Sequence, residues 1–510
     1  PYSGRGRMKV LVTGGTGVVG KASVDRLLAA GHRVRLLSRH AEDDARQWPE
    51  GVEPHTGDVT SDDGVRGAAE GCDAVLHVVG IVAESPPAVT FQAVNVDGTR
   101  RMAREAKRAG VRRFVYVSSL GANGGESDYH RSKLAGEAAV CEEDPPGWLI
   151  VRPGNVYGPG DEVISTLLKM VRTMPAIPLV GMGAHPFQPV WHEDLGEALA
   201  RAVIDPQPVH QALDLAGPEV TNTREILERL EALTDMHPVH LPVPELLTRL
   251  GARAAETVGI ELPIKEDQVT MLVEGNLIPP GAPNALTDTF GVKPLGLDAG
   301  LRRLVDALPE ALPSDGTGKL ERQSYWADIR GSRMSPDEIF DMLRREFYTL
   351  PPEGLVKVGV EPGSPLVLDE GETLTLSLPM RGHIQVRVAE ARNRIITLLT
   401  VEGHPLSGAI RFLVEERGAG IIRFEIRSFT RASNLLDMVA MRTAGFLAQK
   451  ANWRAVVAKV VERSGGEAVD GVNDETGFLN EEDARGVEKW VDELVVGLRR
   501  AEAPSLGEDT

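Results

Sequence analysis

Cysteine is scarce in this chain, and long uncharged apolar runs are missing from it. Only Cys72 and Cys141 occur among 510 residues, far apart and in no metal-like spacing. They support neither a disulfide framework nor a zinc site, and we expect no metal. No uncharged apolar stretch reaches the length of about 18 residues that a membrane-spanning helix needs. The sequence therefore favours a cytoplasmic protein without an integral membrane segment.

An excess of positive charge is also missing. Lys and Arg total 56 against 74 Asp and Glu, a formal net charge of -18. This balance gives no general electrostatic case for binding nucleic acid or an anionic membrane surface. The length predicts two or three domains. We expect residues 1–7, which lack a signal-peptide pattern, to be a tag remnant or a frayed extension before Met8.

Short apolar runs alternate with longer helical patterns from Met8 onward. Runs such as VLVT, RVRLLS, DAVLHVVG and RFVYVSS are separated by stretches such as ASVDRLLAAG and GTRRMAREAKRAG. This alternation predicts an α/β domain, in which a doubly wound, Rossmann-type parallel sheet carries helices on both faces. Ligands bind such sheets beyond the carboxyl ends of the strands. We therefore expect the chemistry in the loops that follow the strands.

The first of these loops is TGGTGVVG at residues 13–20, where glycines recur at a spacing of three directly after a strand. Glycine permits the tight turn, the close approach of a pyrophosphate and close helix packing. Backbone N–H groups at the helix start then hold the phosphates. The loop predicts dinucleotide binding. The predicted contacts are Gly14, Thr16, Gly17, Val18, Val19 and Gly20.

The second loop indicates which dinucleotide binds. An NAD site would usually place an acidic residue after this strand, but Ser38 and Arg39 stand there. Arg39 suits a 2′-phosphate, so the pattern favours NADP (NADPH) over NAD, unless Arg39 is simply a surface arginine. Asp58, after the third strand, is placed to bond the adenine amino group. It could equally cap the following helix.

Seven motifs in this order resemble the extended and atypical short-chain dehydrogenase/reductase superfamily, which contains the sugar-nucleotide epimerases. They are TGGTGVVG, GDV at 57–59, HVVG at 77–80, NVDGT at 95–99, VSS at 117–119, YHRSK at 129–133 and RPGNVYGPGD at 152–161. The resemblance covers residues 8–308, with a small substrate-side region from about residue 154. It implies that further residues line the cofactor. These are Val59, Val79, Gly80, Pro153 and Gly154.

Tyr129 and Lys133 lie four residues apart and share one face of a predicted helix. By themselves they could be a solvated face. The resemblance implies that they surround the nicotinamide with the serine that ends the fifth strand, Ser119 in preference to Ser118. A nearby ammonium favours the phenolate, so Tyr129 can exchange a proton with the substrate oxygen while hydride moves. Lys133 would also hold the nicotinamide ribose.

Only nine residues, LGANGGESD, separate Ser119 from Tyr129. This short interval speaks against a nucleotide-sugar substrate and resembles the atypical branch that includes the complex I accessory-subunit type and reductases of apolar molecules. The favoured function is an NADP-dependent oxidoreductase acting on the carbonyl or alcohol of an apolar small molecule. One alternative is a non-catalytic NADPH-binding scaffold or ligand-binding protein with a protein partner. Another is a nucleotide-sugar epimerase or dehydratase.

The character of the chain changes after a predicted linker, residues 309–330. A helix, alternating strands and a long helical stretch from 434 to 463 predict an antiparallel α+β domain of helix-grip type, residues 331–465. Its VEGHPLSGAIRFLVEE and FEIRSFTR resemble a family without an assigned reaction, and His404 is expected to shape a turn. An acidic tail, residues 466–510, carries an amphipathic helix that docks in cis or on a partner. A homodimer is a further possibility.

Overall fold

Two β-sheets organise the computed structural model, which describes residues 6–244, 274–352, 354–379, 381–434, 437–438 and 446–503. The first sheet is parallel and has the strand order β7-β6-β5-β4-β1-β2-β3. Its strands are β1 (Lys9–Thr13), β2 (Arg33–Ser38), β3 (Val52–Thr56), β4 (Ala74–His77), β5 (Arg113–Val117), β6 (Trp148–Pro153) and β7 (Gln211–Leu215). The predicted doubly wound sheet is confirmed.

Helices cover both faces of this sheet, which is why its central strands are apolar on both sides. The helices of this part of the chain, including those of the lobe described next, are α1 (Val18–Ala29), α2 (Ala41–Ala45), α3 (Asp62–Val65), α4 (Thr99–Ala109), α5 (Asp128–Glu143), α6 (Ile164–Thr173), α7 (His192–Ile204), α8 (Thr223–Thr234), α9 (Ala285–Asp288) and α10 (Leu297–Val305). Leu27 of α1 and Leu199 of α7 enter one core. Met102 of α4 and Val140 of α5 enter the other. The carboxyl ends of β1, β4 and β5 therefore open at one edge between these layers.

A smaller lobe, called here the substrate-side lobe, begins after β6. Three pairs of short strands build it, Val156–Tyr157 with Val190–Trp191, Ala176–Val180 with Val239–Val243, and Pro186–Phe187 with Thr221–Asn222. Helices α6, α8 and α10 pack around a core that includes Leu168, Leu227 and Leu301. The lobe thus has its own apolar centre beside the edge of the parallel sheet.

The second sheet is antiparallel, with the order β9-β10-β11-β12-β13-β14-β8-β15 and with β16 also paired to β8. Its elements are β8 (Thr317–Arg330), α11 (Pro336–Glu346), β9 (Lys357–Val358), β10 (Thr373–Leu378), β11 (Gly382–Arg392), β12 (Ile395–Thr400), β13 (Leu406–Gly418), β14 (Ile421–Ala432), α12 (Phe446–Ser464), β15 (Glu467–Ala468), β16 (Asn473–Phe478) and α13 (Glu481–Glu502). Phe347, Phe412 and Trp453 pack edge to face between the sheet and its helices. The predicted second α+β domain is confirmed.

The predicted linker, residues 309–330, is wrong in its second part. Residues Thr317–Arg330 form β8, which pairs with β14 and closes the order of the sheet. Tyr325, Ala327 and Ile329 are buried as alternation requires, but the neighbouring Gln323 and Ser324 are buried polar residues. Because these two residues interrupt the apolar alternation, the sequence pattern did not indicate a strand.

The last two helices were predicted, with different bounds. The expected beginning of the long helix, residues 435–436 and 439–445, lies outside the described residues, and the described part is α12. Val491 and Val495 of α13 pack on Leu399 and Ala409 of the second sheet. The amphipathic stripe of the tail therefore docks in cis. No helix among the residues that the structure describes is long and apolar enough to cross a membrane.

A buried ion pair joins the substrate-side lobe to the second domain. Arg172 of α6 and Glu361 are 3% and 2% exposed, and their closest charged atoms are 2.7 Å apart. Arg172 also donates to Gln385 Oε1 and to the Val305 carbonyl. Burial would raise the pKa of Glu361, but hydrogen bonds from His383 and Arg172 outweigh it and lower the pKa below 4.5. The pair is therefore charged and fully hydrogen-bonded at neutral pH.

We predict that Glu361→Ala lowers the free energy of unfolding by about 3–5 kcal/mol, because it leaves the Arg172 guanidinium buried without its carboxylate. Denaturant unfolding of the full chain measures this. Since folding lowers the pKa of Glu361, its stabilisation is complete above pH 4.5 and is lost as the pH falls further. Asp337→Ala is the control, because Asp337 pairs with Arg394 at the surface. An equal effect of the two substitutions would contradict the prediction.

Candidate active site

The glycine loop between β1 and α1 has the backbone geometry of a phosphate-binding turn. Gly14 has φ +67°, and a Cβ there would lie 2.9 Å from the Val79 nitrogen. A Cβ on Gly20 would overlap the Gly14 carbonyl oxygen. Gly17 precedes the first residue of α1 and supplies no side-chain cap, so the first-turn N–H groups of α1 can hold an anion. Of the remaining predicted contacts, Thr16 lies on the same turn, and Val18 and Val19 are the first two residues of α1.

The residues after β2 and β3 lie at the side of the site where the adenosine half of a dinucleotide is expected. The Ser38 hydroxyl donates to Asp44 of α2. Arg39 is exposed, and its side chain has no partner among the described residues. Asp58 Oδ1 accepts the N–H and the hydroxyl of Thr60, both at 2.8 Å. The alternative role of Asp58 as a helix cap is wrong, because Ser61 caps α3 through the Gly64 N–H.

Tyr129 and Ser119 meet where α5 begins beside the end of β5. The Ser119 hydroxyl lies near enough to the Tyr129 phenol to lower its pKa, and Tyr129 itself is half-buried. Ser118 turns the other way and donates to Glu137 at 2.5 Å, and Glu137 in turn binds Arg152. Burial raises the pKa of Tyr129 to about 12, against the opposing effect of the Ser119 hydrogen bond. Only the second serine of the strand end therefore faces the phenol.

Lys133 is 3% exposed one turn after Tyr129. Its ammonium donates to the Val117 carbonyl at 2.8 Å and lies 4.9 Å from the centre of the Tyr116 ring. Burial lowers the pKa of Lys133 to about 8, although the Glu137 carboxylate acts in the opposite direction. A Cβ on Gly80 would lie 3.2 Å from the ammonium nitrogen. The loop after β4 therefore passes directly over Lys133.

The end of β6 forms the opposite wall. Pro153 is its last residue, and the Gly154 N–H donates to the Leu215 carbonyl at 2.9 Å. A Cβ on Gly154 would overlap the Gln188 carbonyl oxygen of the substrate-side lobe. Glycine at 154 is thus required by the close approach of that lobe. On the inner side Val59 is buried, whereas Val79 is half-buried in the loop after β4.

Two residues of this site, Asn95 and Glu162, were not predicted from the sequence. Asn95 is buried and donates to Ser132 Oγ of α5 at 2.9 Å, while it accepts the Ile81 N–H at 2.8 Å. The NVDGT motif was a signal for it. Glu162 raises the pKa of Tyr129 through its negative charge, and no pattern in the sequence pointed to it. Asn95 therefore ties the loop after β4 to the helix that carries Tyr129.

His77 lies close to the site but is not suited to proton transfer. Its Nδ1 is 2.9 Å from Thr13 Oγ1, and its Nε2 is 3.1 Å from Thr99 Oγ1. Complete burial, helped by the Lys133 charge, lowers its pKa to about 3. His77 is therefore neutral at physiological pH and links β1, β4 and α4.

The two domains match two different family models. Residues 10–213 match the NAD dependent epimerase/dehydratase family, and residues 341–458 match a domain of unknown function, DUF1990. The first of these matches includes both the glycine turn and Tyr129. The predicted resemblance to the epimerase-containing short-chain dehydrogenase/reductase group is confirmed over this part of the chain.

Curated relatives are similar to the first part of the chain. Ceramide reductase of Caulobacter vibrioides is 37% identical over 172 residues, 34% of this chain and 53% of that protein. Sterol demethylase protein B of Methylococcus capsulatus is 37% identical over 175 residues, 30% of this chain and 53% of that protein. The chain therefore spans about half the length of each of these relatives.

A third relative has a different kind of name. It is NADH dehydrogenase [ubiquinone] 1 alpha subcomplex subunit 9, mitochondrial, of Arabidopsis thaliana, 27% identical over 277 residues. The match covers 52% of this chain and 68% of that protein. The relatives thus carry names of different kinds, a reductase, a sterol demethylase protein and a respiratory-complex subunit.

We predict that Gly20→Ala weakens NADPH binding by about 10- to 100-fold. The new methyl group would overlap the Gly14 carbonyl, and relieving such overpacking costs about 1–3 kcal/mol of distortion in the phosphate turn. Titration of NADPH fluorescence measures the affinity. Gly486→Ala is the matched control, since a Cβ there meets nothing within 4 Å on α13. Undiminished binding by Gly20→Ala would show that the turn does not hold the phosphates.

Proposed function

We propose that the protein is an NADPH-dependent oxidoreductase that transfers hydride to or from the carbonyl or alcohol carbon of an apolar small molecule. The observation that carries this proposal is the convergence of Ser119, Tyr129 and Lys133 at the open edge of the parallel sheet. NADPH, when bound, supplies the hydride. The chain supplies the proton, the orientation of the substrate oxygen and the exclusion of water.

Tyr129 is proposed as the acid/base. Its raised pKa of about 12 means that the phenol is protonated at neutral pH and can donate to an oxygen that gains negative charge during reduction. Ser119, whose hydroxyl acts on the pKa of Tyr129, would hold the same oxygen. Lys133, with a pKa of about 8, carries a positive charge below that pH. Its ammonium lowers the cost of forming the phenolate and would also bind the nicotinamide ribose.

The cofactor residues are proposed as predicted. They are Gly14, Thr16, Gly17, Val18, Val19 and Gly20 for the phosphates, Ser38, Arg39, Asp58 and Val59 for the adenosine half, and Val79, Gly80, Pro153 and Gly154 for the nicotinamide side. Arg39, exposed and unpaired among the described residues, is available for a 2′-phosphate. This supports NADP in preference to NAD. A cytoplasmic location remains a prediction.

Two observations support an apolar substrate. The nine residues between Ser119 and Tyr129 leave little chain to build a nucleotide-sugar site beside the phenol. Ceramide and sterols, which give two of the relatives their names, are apolar lipids with oxygen-bearing carbons. We therefore propose a lipid-like ketone or alcohol as the substrate class.

A non-catalytic NADPH-binding scaffold is the second candidate. The similarity to the complex I subunit over 52% of this chain favours it, as does the docking of a second domain on the substrate-side lobe. In this case Tyr129 and Lys133 would serve only to bind the nucleotide, and the chain would associate with another protein.

We predict that Tyr129→Phe reduces hydride transfer by about 100- to 10,000-fold, because it removes the acid/base, while NADPH still binds. The assay follows nicotinamide absorbance with a ceramide oxidised to a ketone and with a 3-keto sterol. For the epimerase alternative, which leaves no net change in the nicotinamide, chromatography follows the conversion of UDP-glucose into its C4 epimer. Tyr348→Phe, a change of an exposed tyrosine in the second domain, is the control. If the unchanged protein and the Tyr129→Phe variant both bind NADPH but neither acts on any of these compounds, the scaffold function is the one to pursue.

We predict that Arg39→Ala weakens NADPH binding by about 10- to 100-fold and leaves NADH binding nearly unchanged. A charge-assisted hydrogen bond to the 2′-phosphate, which only NADPH carries, is worth about 1.5–3 kcal/mol. Fluorescence titration with both nucleotides measures the ratio of affinities. Arg66→Ala, which removes another exposed arginine, is the control. An equal loss of affinity for NADPH and NADH would show that Arg39 does not bind the 2′-phosphate and is simply a surface arginine.

A further inference from the structure

The imidazole that follows Tyr129 accounts for two of the three glycines in the loop before it. His130 is completely buried. A Cβ on Gly125 would lie 2.5 Å from His130 Nδ1, and a Cβ on Gly121 would overlap His130 Nε2, whereas a Cβ on Gly124 would meet nothing within 4 Å. The backbone at residues 121 and 125 therefore lies against this ring and has no room there for a larger side chain. A contact that fixes the position of the His130 ring therefore also fixes the position of this loop.

A carboxylate from the substrate-side lobe holds that ring. Glu274 Oε2 lies 2.5 Å from His130 Nδ1, and His130 Nε2 has no hydrogen-bond partner among the described residues. The Glu274 side chain is 13% exposed. Among the residues that the structure describes, the side-chain hydrogen bond to the buried imidazole thus comes from Glu274 alone, which is 144 positions away along the chain.

The same carboxylate holds the backbone at the start of α5. Glu274 Oε1 accepts the N–H groups of Glu126 and Ser127, the latter at 2.6 Å, and Oε2 accepts the Ser127 hydroxyl at 3.1 Å. Ser127 is the N-cap of α5 and accepts the His130 N–H. An anion is favoured at a helix N-terminus, where unpaired N–H groups and the helix dipole both attract it. Glu274 therefore fixes the turn from which Tyr129 projects.

The segment that carries Glu274 is hydrogen-bonded to the chain beside Gly154, at the end of β6. The Asn276 carbonyl accepts the Gln188 N–H at 3.0 Å, and Gln188 is the residue whose carbonyl oxygen a Cβ on Gly154 would overlap. A continuous set of contacts thus runs from Gly154 through Gln188 and Glu274 to the turn before Tyr129. The substrate-side lobe touches both sides of the proposed reaction centre through two hydrogen-bonded segments, one at Gln188 and one at residues 274–276.

We propose that Glu274 is a positioning residue, which holds the Tyr129 phenol against Ser119 through His130 and the N-terminus of α5. The inference rests on the proposed function of Tyr129 as acid/base. Because Glu274 belongs to the substrate-side lobe, the phenol is in its reactive place only when that lobe is seated on the first domain. Binding of the substrate and placement of the acid/base are thereby linked.

A titration of Tyr129 tests this without a substrate. The full chain is labelled with fluorotyrosine, whose lower pKa allows titration before alkaline unfolding, and Tyr129→Phe identifies the Tyr129 signal in the fluorine spectrum. Burial is what raises the pKa of Tyr129. Glu274→Gln, by loosening the turn, is expected to lower the midpoint by about one pH unit, with NADPH binding unchanged. An unchanged midpoint in a folded Glu274→Gln protein overturns the proposal.

Glu219→Gln is the matched control, since it makes the same chemical change in the same lobe, where Glu219 pairs with Arg229. A shift of equal size in this variant would overturn the proposal. If Glu274→Gln does not fold, Glu274→Asp takes its place, because it keeps the charge but is too short to reach both His130 and the backbone. The shorter side chain is expected to lower the midpoint as well, and an unchanged midpoint again overturns the proposal.

The activity assay then separates the two proposals. With a substrate in hand, Glu274→Gln is expected to lower kcat by about 100-fold, the effect of a misplacement of about 1 Å, while the affinity for NADPH is unchanged. If Tyr129→Phe is fully active, the proposed function fails, whatever the titration shows. If Tyr129→Phe is inactive and Glu274→Gln has normal kcat, only the positioning role fails.

Discussion

The Lys133 ammonium, removed from water between β5 and α5, is the constraint on which the rest of the candidate site depends. Burying a cation is costly unless polar groups replace its water. Here the Val117 carbonyl, the face of the Tyr116 ring and the nearby Glu137 carboxylate do so. Val117 is followed directly by the two serines, and Tyr129 lies one turn before Lys133. One short hydrogen bond therefore sets the register of the serines against the phenol.

The substrate-side lobe is held between two neighbours. On the side of the first domain, its Glu274 accepts hydrogen bonds from the turn before Tyr129. Toward the second domain it offers Arg172, which is buried against Glu361 and Gln385. Arg387 of β11 adds hydrogen bonds to the carbonyls of Asp306 and Leu308, just after α10. The antiparallel domain is thus a firm support for the lobe that faces the proposed reaction centre.

Local chemistry explains which parts of this fold could be predicted from the sequence. The glycine turn at 14–20 and the alternation around it depend on residues close together in the chain, and both indicated the parallel sheet. The Tyr129 and Lys133 pair follows from helical spacing. The Glu274 contact could not be predicted, because it joins residues 144 positions apart and no pattern marks it. The strand β8 was missed because Gln323 and Ser324, both buried, look like linker residues.

The final helix extends the influence of the second domain beyond its own sheet. Arg500 donates to the Arg46 carbonyl, and Arg499 donates to the Gln47 side chain at 3.1 Å. These two acceptors follow α2, in the same segment as Ser38 and Arg39. A chain that ended after β16 would retain every residue proposed to contact the nucleotide. It would lose the two hydrogen bonds from Arg499 and Arg500 that hold this segment. A substitution in the final helix can therefore shift the segment in which the adenosine half of the proposed nucleotide would bind.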